Sequence, residues 1–416
     1  MSDWAERASR VWPRETPGTL SKGHCRFVEA VPFLQIEGNG AHTFCSDGER
    51  YLDWISGLGA IILGHHDDEF MGAIKRQLRK GTAFSLPHSL EIEVAELLCD
   101  LIPSAERVRF VQNGGDATNA AVRLARAVTG RDTILASGYF GHHDWYIAGQ
   151  PPARGIPACL KPLLIEFPWN DKNTFRVLIE TLKPAAVIFE VRLADPGPGF
   201  LKYIRMKCDE LGVIMIADEI CTFPRWRGWS AQTYYGIVPD LTCVGKGMSN
   251  GFPVAALVGK AELMDELGGD NPIFVSTTYG GSPLGLAAVK ATLRIMQERG
   301  VVEHIWMIGK ALQDGYKALV RELGLEVVTD CPGHPPRTVF TFTDEVLRGI
   351  FMAEMAKRKI IVNRPNYPCM SHSIEDVKKT LDAARMALVI VKKAWESDDP
   401  RSFLEGPPPR PVFTNR

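Results

Sequence analysis

From Arg107 onward, short apolar runs alternate with stretches in which apolar residues recur every three or four positions. The runs are Val108–Val111, Thr133–Ala136, Ala186–Phe189, Val213–Ala217, Leu241–Val244 and Ala255–Val258. Between them Ala120, Ala121, Leu124, Ala125 and Val128 follow Thr118 at helical spacing, and Leu284 to Met296 reads as a long apolar helix opened by Pro283. Strands that alternate with helices in this way predict an α/β domain whose sheet is mostly parallel.

The pattern differs at both ends. Pro32 to Phe44 predicts a strand, a turn at Glu37-Gly38-Asn39-Gly40 and a second strand, followed by the turn Ser46-Asp47-Gly48-Glu49. After residue 305, helices around Ile308–Leu323 and Ile374–Trp395 flank β-like runs at Glu326–Val328, Thr338–Phe342 and Ile360–Val362. The expected division is therefore a large domain over residues 51–304 and a smaller α+β domain built from 1–50 and 305–416. Gly406 to Pro411 is too rich in proline to continue a helix and is expected to be an extended surface tail.

A chain of 416 residues can bury a large core and exceeds one typical domain. Its 48 basic and 49 acidic residues nearly cancel, so no global field favours nucleic acid or an anionic membrane, and a small molecule is the expected partner. No run reaches the roughly 18 apolar residues of a membrane span, and the polar start from Met1 to Arg14 lacks a signal-peptide core. A cytoplasmic location is expected. The nine cysteines form no C-x-x-C pair, which fits reduced thiols, mostly in the core.

The chemistry gathers where two apolar runs end. Lys246 stands between Gly245 and Gly247, just past Leu241–Val244, and Asp218-Glu219 closes Val213–Ala217. A lysine at a strand end is placed to project into a cleft and form an imine with an aldehyde, and a buried carboxylate there keeps a pyridine nitrogen protonated. The two together point to pyridoxal phosphate. Gln112-Asn113-Gly114-Gly115-Asp116-Ala117-Thr118 follows another run and opens a helix, and free amides at such a start form an anion site for the phosphate.

With these motifs in this order, the chain from Gly18 to Val391 resembles the class III (fold-type I) pyridoxal-phosphate aminotransferases. Within them it is most similar to the branch of glutamate-1-semialdehyde aminomutase. The resemblance implies a large domain with a mostly parallel sheet of the seven-stranded type, a smaller domain from both termini, and a homodimer with shared active sites. In the class the carboxylate of a D-E-[VI] segment pairs with the ring nitrogen, the next aliphatic residue packs on the ring, and the lysine after P-D-[LI]-x-x-x-G-K carries the cofactor. Those roles fall to Asp218, Ile220 and Lys246. The phosphate would be held by Asn113, Gly114, Gly115 and Asp116, where the class more often reads N-S-G-[TS]-E-A, and by Thr278 of the neighbouring subunit, before the turn Gly280-Gly281-Ser282-Pro283. Tyr139, in Tyr139-Phe140-Gly141-His142, takes the place of the aromatic that stacks on the ring. Glu190 matches a glutamate beside the phenolic edge of the cofactor, with an edge-of-sheet structural role as its alternative.

The substrate is less legible. Arg364 and Arg26 lie near the places where relatives bind a substrate carboxylate, neither in a clean motif. Leu34 to Ile36, Trp54, Tyr139, Trp145, Tyr146 and Trp169 offer flat apolar surface for a sugar wherever they are not core. The departures at Asn113–Asp116 and Tyr139–Gly141 also look like those of aminoglycoside 6′-aminotransferases, which implies transfer of an amino group from a donor such as glutamate to an amino-sugar aldehyde. An aminomutase or epimerase, and a non-catalytic interaction protein on the same scaffold, are the rival expectations. His142-His143-Asp144 and His65-His66-Asp67-Asp68 lack the helical spacing or cysteine company of a metal site, so no metal is expected.

Overall fold

The computed structural model describes residues 3–11, 28, 30–32, 34–151, 153–191 and 195–409. The chain forms two units, Asp68–Val302 and Met1–Asp67 with Glu303–Arg416.

The larger unit holds a seven-stranded sheet made of β1 (Arg107–Val111), β2 (Ile134–Ser137), β3 (Leu164–Glu166), β4 (Ala186–Phe189), β5 (Ile214–Asp218), β6 (Leu241–Val244) and β7 (Ala255–Gly259). Their spatial order is β1-β7-β6-β5-β4-β2-β3. Strands β3, β2, β4, β5 and β6 run parallel, as the alternation of runs and helices predicts. β7 is antiparallel to both β6 and β1, because the segment from Gly245 to Val254 is shorter than the dozen or so residues a parallel crossover takes. β3 escapes notice in the sequence, being only Leu164-Ile165-Glu166 after the proline-interrupted turn Ala158–Leu163.

Helices cover both faces, which is why the central strands read as unbroken apolar runs. On one face Ala117, Ala121 and Leu124 of the helix Gly114–Thr129 pack with Ile188, Ile216 and Leu257. On the other, Val94 and Leu98 of Ser89–Leu101 and Leu286 and Val289 of Pro283–Arg299 pack with Val244, Ala256 and Val258. β1 lies at the sheet edge and alternates instead, keeping Arg107 exposed and Val111 buried.

In the smaller unit Gln35–Asn39, His42–Cys45 and Arg50–Asp53 form an antiparallel meander, and Ile360–Ile361 adds a parallel strand. The unit therefore continues past the division expected at residue 50, since Arg50–Asp53 is an inner strand of its sheet. Glu326–Val328 is not a strand. The pairing there is between Thr329–Asp330 and Thr341–Phe342. The proline-rich end is not wholly at the surface either: Pro409 is buried, and its carbonyl accepts from Arg348 Nη2 at 3.5 Å. No helix among the described residues is long and apolar enough to cross a membrane.

Candidate active site

The C-terminal ends of β1, β2, β4, β5 and β6 share one edge of the sheet, where α/β folds place their ligand sites. Asp218 is the last residue of β5, 5 % exposed, and its register partner on β6 is Cys243. Lys246 follows three residues later. The acid and the amine thus leave neighbouring parallel strands at the same edge.

Lys246 has φ +45°, a left-handed backbone that costs a side-chain-bearing residue about 1 kcal/mol. It opens the turn Lys246–Ser249, held by Ser249 Oγ, which donates to the carbonyls of Lys246 (3.2 Å) and Phe252 (2.7 Å). Its Nζ donates to Cys221 Sγ at 2.7 Å. Asp218 Oδ1 accepts from the amide of Ile220 at 2.9 Å, which fixes the turn leaving β5. Asp218 also adds to the burial that pushes the Cys243 thiol far up.

The neighbouring carboxylate has a different task. Glu219, 2 % exposed, accepts from the amides of Ala231 (2.7 Å) and Gln232 (3.0 Å), from Gln232 Nε2 (3.2 Å) and from Thr222 Oγ1 (2.8 Å). It locks the loop between β5 and the helix Ala231–Tyr235. Burial raises its pKa, with these donors opposing the shift.

Asn113 caps the helix Gly114–Thr129. Its Oδ1 accepts from the amide of Asp116 (3.1 Å), while Asp116 Oδ2 accepts from the amide of Asn113 (3.2 Å). The amides of Gly114 and Gly115 occupy the first two helical positions, which no carbonyl of the helix can reach, and remain as an anion cradle. Asp116 Oδ1 lies 3.3 Å from His143 Nε2, and the His143 ring stacks on His142 with centroids 5.0 Å apart. Thr118 Oγ1 donates to the carbonyls of Gly115 (3.0 Å) and Phe140 (2.7 Å), and a Cβ on Gly141 would come within 2.8 Å of Gly115 Cα. The loops after β1 and β2 are thus locked together. Among the described residues no group of three or more His, Cys, Asp or Glu side chains is arranged to hold a metal.

Ile220 closes the space between these parts. A Cβ on Gly114 would lie 2.9 Å from Ile220 Cδ1, and one on Gly245 would lie 3.1 Å from the same atom. Both glycines are therefore room for this side chain. Tyr139, 42 % exposed, donates its amide to Glu190 Oε2 at 3.4 Å, and its ring meets Tyr146 edge-on. Glu190 is buried at the end of β4, its own amide bonded to the carbonyl of Ser137 at 3.1 Å.

The fold therefore brings together Asn113, Gly114, Gly115, Asp116, Tyr139, Glu190, Asp218, Ile220 and Lys246 at one sheet edge. Thr278 lies exposed in the segment leading to the helix Pro283–Arg299. Arg364 belongs to the smaller unit, where its Nη1 is 3.4 Å from Glu345 Oε1. Arg26 lies outside the described residues. Of the aromatic residues counted as sugar-facing surface, Trp54, Trp145 and Tyr146 are core. The contacts Cys221–Lys246 and His143–Asp116 have no signal in the sequence, because each spans 25 or more positions.

An amine, a buried acid one strand away, an apolar wall between two glycines and an anion cradle are the donor set that a pyridine aldehyde phosphate requires. They define a fold-type I pyridoxal-phosphate enzyme. Residues 27–384 match the model of the family Aminotransferase class-III. The chain belongs to that family and uses pyridoxal phosphate as its cofactor. It is 31 % identical over 403 residues to the glutamate-1-semialdehyde 2,1-aminomutase of Desulfotalea psychrophila (strain LSv54 / DSM 12343), covering 89 % of this chain and 94 % of the relative. Among solved structures it is similar to the PLP-bound FumI protein of Sphingopyxis sp. MTA144, with a TM-score of 0.88, 27 % identity, and 97 % and 99 % of the two chains covered. An omega-transaminase from Sphaerobacter thermophilus gives a TM-score of 0.84 at 26 % identity, with 93 % and 96 % covered.

Proposed function

We propose that the enzyme is an aminotransferase that moves an amino group between a glutamate-like donor and the aldehyde or ketone of an amino sugar, as in aminoglycoside biosynthesis. When bound, pyridoxal phosphate supplies an electron sink for the carbon that loses a proton. The chain's own residues do the rest. Lys246 holds the cofactor and, once displaced by an incoming amine, moves a proton to and from the substrate carbon through Nζ. Asp218 keeps the ring nitrogen protonated, and Ile220 and Tyr139 bound the ring. The amides of Gly114 and Gly115, ordered by the Asn113–Asp116 capping pair, hold the phosphate. Glu190 orients the backbone of Tyr139.

The observation that carries the proposal is the placement of Lys246 and the buried Asp218 on adjacent strand ends. The substrate class is supported by the departures at Asn113–Asp116 and Tyr139–Gly141, which resemble those of aminoglycoside 6′-aminotransferases. We assign Thr278 to the phosphate of the neighbouring subunit in a homodimer. In support, Thr278 is exposed, and so are the apolar side chains of Phe84, Leu86, Phe274 and Tyr279 in two segments joined by Ser282 Oγ donating to the carbonyl of Thr82 at 3.1 Å.

The test is spectroscopic. Glutamate should bleach the visible band of the loaded enzyme with release of its keto acid, and an amino-sugar aldehyde should then restore the band. Failure of both half-reactions rules the proposal out. An aminomutase is the second reading, favoured by the relative from Desulfotalea psychrophila. Solvent deuterium entering a substrate without keto-acid release would select it. A colourless Lys246→Ala variant of a yellow protein would dispose of a non-catalytic scaffold.

A further inference from the structure

The contact between Lys246 and Cys221 joins two rigidly placed groups. Cys221 is 7 % exposed and sits on the loop that leaves β5 at Asp218. That loop is bonded on either side of it: the amide of Glu219 donates to the carbonyl of Cys243 (2.8 Å), and the amides of Thr222 and Phe223 donate to the carbonyl of Glu219 (3.2 and 2.9 Å). The Glu219 carboxylate, with its four donors, anchors the same loop to the helix Ala231–Tyr235. On the other side, the left-handed backbone of Lys246 is fixed by Ser249. The sulfur is therefore presented at one point, and Nζ meets it at 2.7 Å.

A free lysine side chain is rotamer-rich and loses that freedom when held. An amine that must leave the cofactor, act on a neighbouring carbon and return gains from an acceptor that stops it wandering. We propose that Cys221 is a positioning residue whose sulfur holds Lys246 Nζ whenever that amine is not joined to the cofactor. This rests on the assignment of Lys246 above. It requires no covalent step at sulfur. In the pyridoxal phosphate form the amine is engaged away from the sulfur, and in the pyridoxamine phosphate form it lies on the thiol.

The labelling test needs no sugar substrate. Apoenzyme is loaded with pyridoxal phosphate or with pyridoxamine phosphate, alkylated with iodoacetamide, and mapped by mass spectrometry with the exposed Cys159 as reference. Cys221 should label several-fold more slowly in the pyridoxamine phosphate form, and Lys246→Ala should erase the difference. Equal rates in the native protein overturn the proposal, as does protection that persists in Lys246→Ala, since the cofactor itself would then be the shield. In turnover, Cys221→Ala should lower kcat several-fold with KM for the donor unchanged, and Cys221→Ser should recover most of the loss. An unchanged kcat in Cys221→Ala also overturns it. If Lys246→Ala keeps the yellow colour, the lysine assignment has failed instead, so the two failures are distinguishable.

Discussion

Acid should weaken the smaller unit through one buried imidazole. His372 is 1 % exposed, and its ring lies on Trp54 with centroids 4.2 Å apart. Its Nδ1 accepts from the amide of Cys369 at 3.1 Å, and its carbonyl accepts from His304 Nε2 at 2.8 Å. An imidazolium carries a proton on both ring nitrogens, so charging His372 breaks the bond to Cys369 as well as placing a cation out of water. Burial pushes its pKa down from 6.5 to about 4, against the pull of Asp376 and Asp53 and with repulsion from His42. Between those values the unfolded chain binds a proton that the folded chain refuses. Stability is therefore fully present above pH 6.5 and falls by about 1.4 kcal/mol per unit down to pH 4, roughly 3 kcal/mol in all. Burial works to raise the Asp53 carboxyl, but His65 and the amides of Ile55 and Ser56 hold it below its ordinary 3.8, so its own loss of stability begins beneath this window. Urea unfolding followed by circular dichroism across the window should give a steep slope for the native chain. His372→Asn keeps an acceptor for Cys369 and cannot titrate, so its slope should be shallower by about that amount. Equal slopes in the two proteins would refute the reasoning.

Two further outcomes concern the proposed phosphate cradle. Gly114→Ala places a methyl 2.9–3.1 Å from three carbons of Ile220, an overpacking worth about 1–3 kcal/mol, and should weaken pyridoxal phosphate binding. Adding Ile220→Ala should restore part of the loss, and strictly additive losses in titrations of the double variant would contradict the steric account. Asn113→Ala removes the helix cap at a cost of about 0.5–2 kcal/mol and should reduce affinity for pyridoxal phosphate while leaving that for unphosphorylated pyridoxal unchanged. Equal effects on both ligands would detach Asn113 from the phosphate.

What could be read from the chain alone was whatever depends on neighbours in sequence. Val213–Ala217 before Asp218 and Leu241–Val244 before Gly245-Lys246 announce buried strands ending in chemistry, and the fold puts those ends side by side. The capping pair Asn113 and Asp116 is likewise local. Pairings between distant segments left no trace: Cys221 on Lys246, His143 on Asp116, Arg364 facing Glu345. The direction of β7 was hidden because an apolar run looks the same whichever way it lies, and only the short link from β6 decides it. β3 failed for the opposite reason, having too few residues to show any period. Glu219 and Asp218 are adjacent and chemically alike, and only their bonding separates a loop anchor from an acid at the site.

The backbone at position 246 is one that glycine or asparagine would occupy more comfortably. Replacing Lys246 with either relieves that backbone and removes the amine together. A long cationic side chain is thus held there at a cost in folding free energy.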